Sequence, residues 1–151
     1  MRRHVHEFVA GFFVLATLIG LPLEISHYQR ALLTRPGVKI IELTGVRWDG
    51  AWTEEPVQGW NYWRRTFHPA TITLREGEEV VLRLMSADVT HGFSVPDLDV
   101  EPVEVEPGHV VEVRLKGTRS GKFPYACTMM CGERHFFMRG TIQVIGRDER
   151  R

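Results

Sequence analysis

Two cysteines, a histidine and a methionine fall in one short run, Cys127-Thr-Met-Met-Cys131-Gly-Glu-Arg-His135-Phe-Phe-Met138. Thiolate and thioether sulfur are soft donors that select copper, zinc or iron–sulfur. The thioether favours copper, because zinc sites use thiolate, imidazole and carboxylate. One cysteine, His135 and Met138 with a second imidazole would supply a mononuclear blue-copper site. That imidazole is available at His91, in Asp88-Val-Thr-His-Gly-Phe. The second cysteine goes beyond such a site. Two thiolates four residues apart can bridge two copper ions and spread a transferred electron over both, so that each metal–ligand bond changes little. The same two thiols could form a disulfide in an oxidising compartment. With His91, His135 and Met138 beside them, copper is the favoured reading. Met130 is a rival thioether that reads as packing. His68 and His109 read as surface residues, and His4 and His6 sit at the N-terminal end.

These residues must be carried by a chain of 151 residues, enough for one ordinary domain. A hydrophobic content of 43% can build a core and excludes global disorder. Two cysteines exclude a disulfide-dense scaffold. Zero net charge argues against a general nucleic-acid binder. The charge is uneven, however: residues 68–118 carry net −6 and residues 119–151 net +4. Asp97, Asp99, Glu101, Glu104 and Glu106 could attract a basic partner, against the plainer alternative of a solvated surface of mixed sign.

Residues 8–23, Phe-Val-Ala-Gly-Phe-Phe-Val-Leu-Ala-Thr-Leu-Ile-Gly-Leu-Pro-Leu, carry no charge. They read as one N-terminal transmembrane helix, somewhat short for a ~30 Å hydrocarbon core unless flanking residues extend it. Arg2 and Arg3 put the N-terminus in the cytoplasm and the remainder outside. A cleaved signal peptide competes, but no small-x-small site follows the apolar run. Residues 27–36 read as a juxtamembrane linker.

Beyond Gly37, short apolar or alternating runs recur: 38–43, 60–67, 71–74, 80–85, 90–95, 100–105, 110–115, 123–127 and 141–145. Turn residues separate them at Glu76-Gly77, Pro96-Asp97, Pro107-Gly108 and Ser120-Gly121. This pattern predicts an all-β sandwich or barrel. Residues 48–52 read as an irregular loop, and the run 127–138 as a loop at one end of the barrel.

The motifs resemble the CuA domain of cytochrome c oxidase subunit II from about Trp60 to Gly146. They include Ser86-Ala-Asp-Val-Thr-His-Gly-Phe-Ser-Val-Pro, Val105-Glu-Pro-Gly and the C-x3-C-x3-H-x2-M loop. The resemblance implies a cupredoxin-like Greek-key β-barrel holding two copper ions. Cys127 and Cys131 resemble the bridging thiolates, His91 and His135 the imidazole ligands, and Met138 the axial thioether. Met129 would give its backbone carbonyl as the other axial ligand. Many members carry there a Glu that helps bind an interface magnesium, and Met has no carboxylate for it. One membrane segment instead of two resembles the single-span forms of small b-type haem-copper oxidases. The division implied is 1–29 anchor, 30–59 linker and barrel start, 60–146 CuA domain and 147–151 charged tail.

The function implied is electron entry into a haem-copper oxidase. A cytochrome c or a small copper protein would be the donor, and haem in a membrane subunit I the acceptor that feeds oxygen reduction. The chain would relay electrons within an oxidoreductase complex and perform no other catalysis, and no nucleic acid is involved. It would sit in a bacterial or archaeal cell membrane with the copper domain on the outer face. Trp60 or Trp63 could admit electrons, or they could pack core or line a subunit interface. Two other functions fit the same residues: the CuA-bearing subunit of a nitric oxide reductase, and a membrane-anchored copper-binding or delivery protein.

Overall fold

A computed structural model describes residues 9–21, 24 and 38–146 of the chain. It divides into two units, Met1–Gly37 and Val38–Arg151. In the first, residues 9–21 are helical and almost all exposed, including Phe12, Phe13, Leu15, Leu18 and Ile19. Among the described residues no helix is long and apolar enough to cross a membrane. Residues 8, 22 and 23 of the expected span, the linker 27–36 and the tail 147–151 lie outside the described residues.

The second unit is all-β. Its strands are β1 (Lys39–Val46), β2 (Ala51–Thr53), β3 (Thr71–Arg75), β4 (Glu79–Ser86), β5 (His91–Val95), β6 (Val100–Val105), β7 (Val111–Lys116), β8 (Gly121–Ala126) and β9 (Arg139–Ile145). One sheet has the order β2-β1-β4-β7 and the other β3-β9-β8-β5-β6. Both are mixed: β1 runs parallel to β4 and β3 parallel to β9, while the other pairs are antiparallel. β3, Thr-Ile-Thr-Leu-Arg, buries alternate residues, as a strand with one face on a core must. Leu43, Leu82 and Leu84 of the first sheet and Ile72, Phe93 and Ile142 of the second belong to one apolar core.

Two sequence expectations differ from this arrangement. The run 60–67 is not a strand. Asn61 Oδ1 accepts the Gln58 N–H at 2.7 Å, and the Arg64 N–H bonds the Asn61 carbonyl at 3.0 Å, so the segment closes into consecutive turns. Its aromatics favour a strand, but the Asn61 side-chain turn prevails. The expected loop 48–52 is a turn at 47–50 followed by β2, a strand too short to show a pattern. All three β2 residues are buried, and the Ala70 N–H donates to the Trp52 carbonyl at 2.8 Å. Tyr125 of β8, fully buried, donates its hydroxyl to the Ala70 carbonyl at 2.8 Å and fastens the second sheet to the same segment.

Candidate metal centre

β8 ends at Ala126 and β9 begins at Arg139, and these two residues pair. The intervening loop therefore stands at one end of the sandwich. Its base is closed by the Cys127 N–H on the Met138 carbonyl at 2.9 Å, and a short 3-10 turn, His135–Phe137, brings the chain back. β5 supplies His91 from beneath. The loop can lie directly on β5 because residue 92 is glycine: a Cβ there would come 2.1 Å from Thr128 Oγ1 and 2.8 Å from the Thr128 nitrogen. Gly45 of β1 leaves similar room, since a Cβ would meet the His91 ring at 2.7 Å.

The six residues singled out by sequence meet here. The sulfurs of Cys127 and Cys131 are 3.7 Å apart, both thiols free and buried. Ligand atoms of His91, Cys127 and Cys131 lie within 4.8 Å of one another. Cys131 Sγ is 3.8 Å from His135 Nδ1 and 3.7 Å from the sulfur of Met138, which is fully buried. The Met129 carbonyl stands 3.2 Å from Cys127 Sγ. Met130 is 72% exposed, so it neither packs, as expected, nor joins the inner donors. His68 and His109 are surface residues.

The donor set fits a soft metal. Two sulfurs 3.7 Å apart can both reach one ion at about 2.3 Å, an ordinary thiolate–metal distance. His91 is wholly buried, and its Nδ1 has no hydrogen-bond partner. An imidazole nitrogen left bare in a core is costly unless something else claims its lone pair. Its other nitrogen, Nε2, bonds Asp88 Oδ1 at 2.8 Å, which fixes the tautomer with Nδ1 facing the thiols. Trp52 flanks the ring at 5.7 Å in an edge contact.

The electrostatics distinguish the two thiols. Burial opposes ionisation of Cys127, yet the facing His91 ring, the Met129 backbone and the Gly92 N–H outweigh it and lower the thiol to about 6. Cys131 is pushed up to about 12, by burial first and then by the neighbouring Cys127. Burial also opposes a charged His91, but the Asp88 carboxylate and Cys127 raise its pKa. Asp88 lies at about 2: its burial is overcome by hydrogen bonds from His91, Tyr62 and the backbone of Arg47 and Val89. Sequence reasoning did not reach Asp88 and Tyr62 as site residues. The only local sign was the Asp three residues before His91.

Fold and site together define a class, a β-sandwich with a cluster of thiol, imidazole and thioether groups at one end that could hold a metal. Residues 64–145 match the family model for the cytochrome c oxidase subunit II periplasmic domain. A cytochrome c oxidase subunit 2 of Thermus thermophilus is 31% identical over 148 residues, covering 90% of this chain and 86% of that one. A second one from Thermus thermophilus is 40% identical over 78 residues, 52% of this chain and 57% of the other. In structure, the periplasmic domain of subunit II of cytochrome oxidase from Bradyrhizobium japonicum superposes with a TM-score of 0.54 at 19% identity, over 77% of this chain and 89% of that one. The chain belongs to the cytochrome c oxidase subunit II family.

Proposed function

We propose that this chain holds a binuclear copper centre through which electrons enter a haem-copper oxidase. The observation that carries the reading is the pair of buried thiols 3.7 Å apart, Cys127 and Cys131, with His91 beside them and His135 and Met138 next to Cys131. Cys127 and Cys131 would be the bridging thiolates, His91 and His135 the imidazole ligands, and Met138 and the Met129 carbonyl the axial donors. Bound there, two copper ions would share one transferred electron. The protein's part is to keep the donors still. Met138 is fully enclosed, His91 is held by Asp88 and Trp52, and the Gly92 N–H points at Cys127 Sγ at 3.3 Å. Donors that cannot rearrange keep the cost of changing redox state small.

The sandwich would be a cupredoxin-like Greek-key domain that starts with β1 and β2, within 30–59, and runs on through 60–146, followed by a charged tail, 147–151. Residues 1–29 would anchor it in a bacterial or archaeal membrane, N-terminus inside and copper domain on the outer face. Two facts support an anchor. The helical residues 9–21 expose apolar side chains, and the 148-residue match reaches beyond the sandwich unit into the N-terminal segment. The donor would be a cytochrome c or a small copper protein, and the acceptor haem in a membrane subunit I.

The test is a copper count and an EPR spectrum of the copper-loaded full chain. Two coppers per chain and a signal from one electron shared equally by both are expected. One copper per chain with a localised signal would overturn the binuclear centre.

A further inference from the structure

Asp88 bonds more than His91. Its Oδ1 accepts the Val89 N–H at 2.7 Å and His91 Nε2–H at 2.8 Å. Its Oδ2 accepts the Arg47 N–H at 2.7 Å and the Tyr62 hydroxyl at 2.5 Å. A carboxylate offers about four acceptor sites, so the group is filled. Two of the four donors are backbone amides and the third is His91 itself. Tyr62 is the remaining side chain, and it comes from the turn segment that also carries Trp60 and Trp63. Its ring packs edge-on against Trp63 at 4.8 Å, and Trp63 meets Trp48 at 5.6 Å. Burial, and then Asp88, hold the proton on the Tyr62 oxygen by raising its pKa, so the hydroxyl stays a donor.

We propose that Tyr62 is a positioning residue for His91: by donating to Asp88 it sets how strongly that carboxylate accepts the Nε2–H, and so how strong a metal donor Nδ1 is. The inference rests on His91 being a copper ligand. Each hydrogen bond to a carboxylate draws off part of its charge. Without the Tyr62 hydroxyl, Asp88 turns that charge on the imidazole N–H. The ring gains anionic character, Nδ1 donates more strongly, and the oxidised metal is favoured. The surface turn and the buried ligand are then electrically linked through a single carboxylate.

Tyr62→Phe removes the hydroxyl and keeps the ring against Trp63. In the copper-loaded full chain, a spectroelectrochemical titration should give a midpoint potential below the wild type, with the copper count unchanged. Asp88→Asn removes the charge altogether and should shift the potential the other way, upward. A merely structural role would move both variants in the same direction, and that result, or an unmoved potential in Tyr62→Phe, overturns the proposal. A metal-free measurement separates this from the copper reading. In nitrogen-labelled apo chain, the His91 Nε2–H proton should move downfield in Tyr62→Phe. An unmoved resonance overturns the link, whereas a wild-type chain that takes up no copper overturns the metal centre instead.

Discussion

The inner donors do different work, and substitution should separate them. Cys127 Sγ accepts the Gly92 N–H and faces His91, whereas Cys131 Sγ touches Met138 and His135. If the sulfurs bridge two metals, either thiol is indispensable. Cys127→Ser and Cys131→Ser should each abolish the shared-electron EPR signal, read on copper-reconstituted protein. Met138→Leu should be milder, because Leu nearly conserves the buried volume and costs less than about 1.5 kcal/mol, and an axial thioether tunes potential more than it holds metal. Loss of all copper in Met138→Leu would make the thioether a principal ligand. The sequence displayed these donors because the soft ones crowd one loop, and spacing alone assembled four of them. Asp88 and Tyr62 stayed hidden because their roles exist only once a turn and a strand distant in sequence meet, and no local pattern encodes that meeting.

At the scale of elements, eight of the nine strands were legible as short apolar or alternating runs between turn residues, and β2 was not. β3 alternates, and its pattern predicts all of the strand but its last residue. β2 is buried at every position, and the segment 60–67 borrowed the look of a strand from its aromatics. β5 is also buried throughout, for a reason that bears on function: the copper loop covers one side of it. Gly92 is the hinge of that packing. Gly92→Ala would drive a methyl into Thr128 and the Met129 nitrogen, which is 2.9 Å from the ideal Cβ. The loop must lift or the strand must shift, at about 1–3 kcal/mol for an overpacked contact. Thermal melts should show that loss, and copper retention should fall with it. Gly59→Ala, where a Cβ meets nothing within 4 Å, is the control and should change stability by no more than about 0.5 kcal/mol.

For the whole molecule, the distribution of charge bears on how a donor finds the copper end. The acidic run expected to attract a basic partner is split by the fold. Val105 pairs with His91, so Glu104 and Glu106 stand near that end of β5. Asp97 and Asp99 lie past the other end of β5, in and just after the turn Pro96–Leu98. Four residues of strand alone separate them from His91 by about 13 Å, beyond the ~10 Å Debye length at 0.1 M salt. At the copper end Arg47, Arg134 and Arg139 offset Glu104, Glu106 and Glu133. Met130, Phe136 and Phe137 stand exposed in the loop itself, and Trp48 and Trp63 in the neighbouring turns. A surface of mixed sign with apolar side chains over the metal should dock its donor by contact more than by steering. Stopped-flow reduction by a basic cytochrome c should therefore depend weakly on ionic strength, and Asp97→Lys with Asp99→Lys should change the rate by less than about two-fold at 0.1 M. Phe137→Ser, at a residue 71% exposed, should slow reduction at every salt concentration. A steep salt dependence that the double Asp variant removes would return the docking role to the acidic turn.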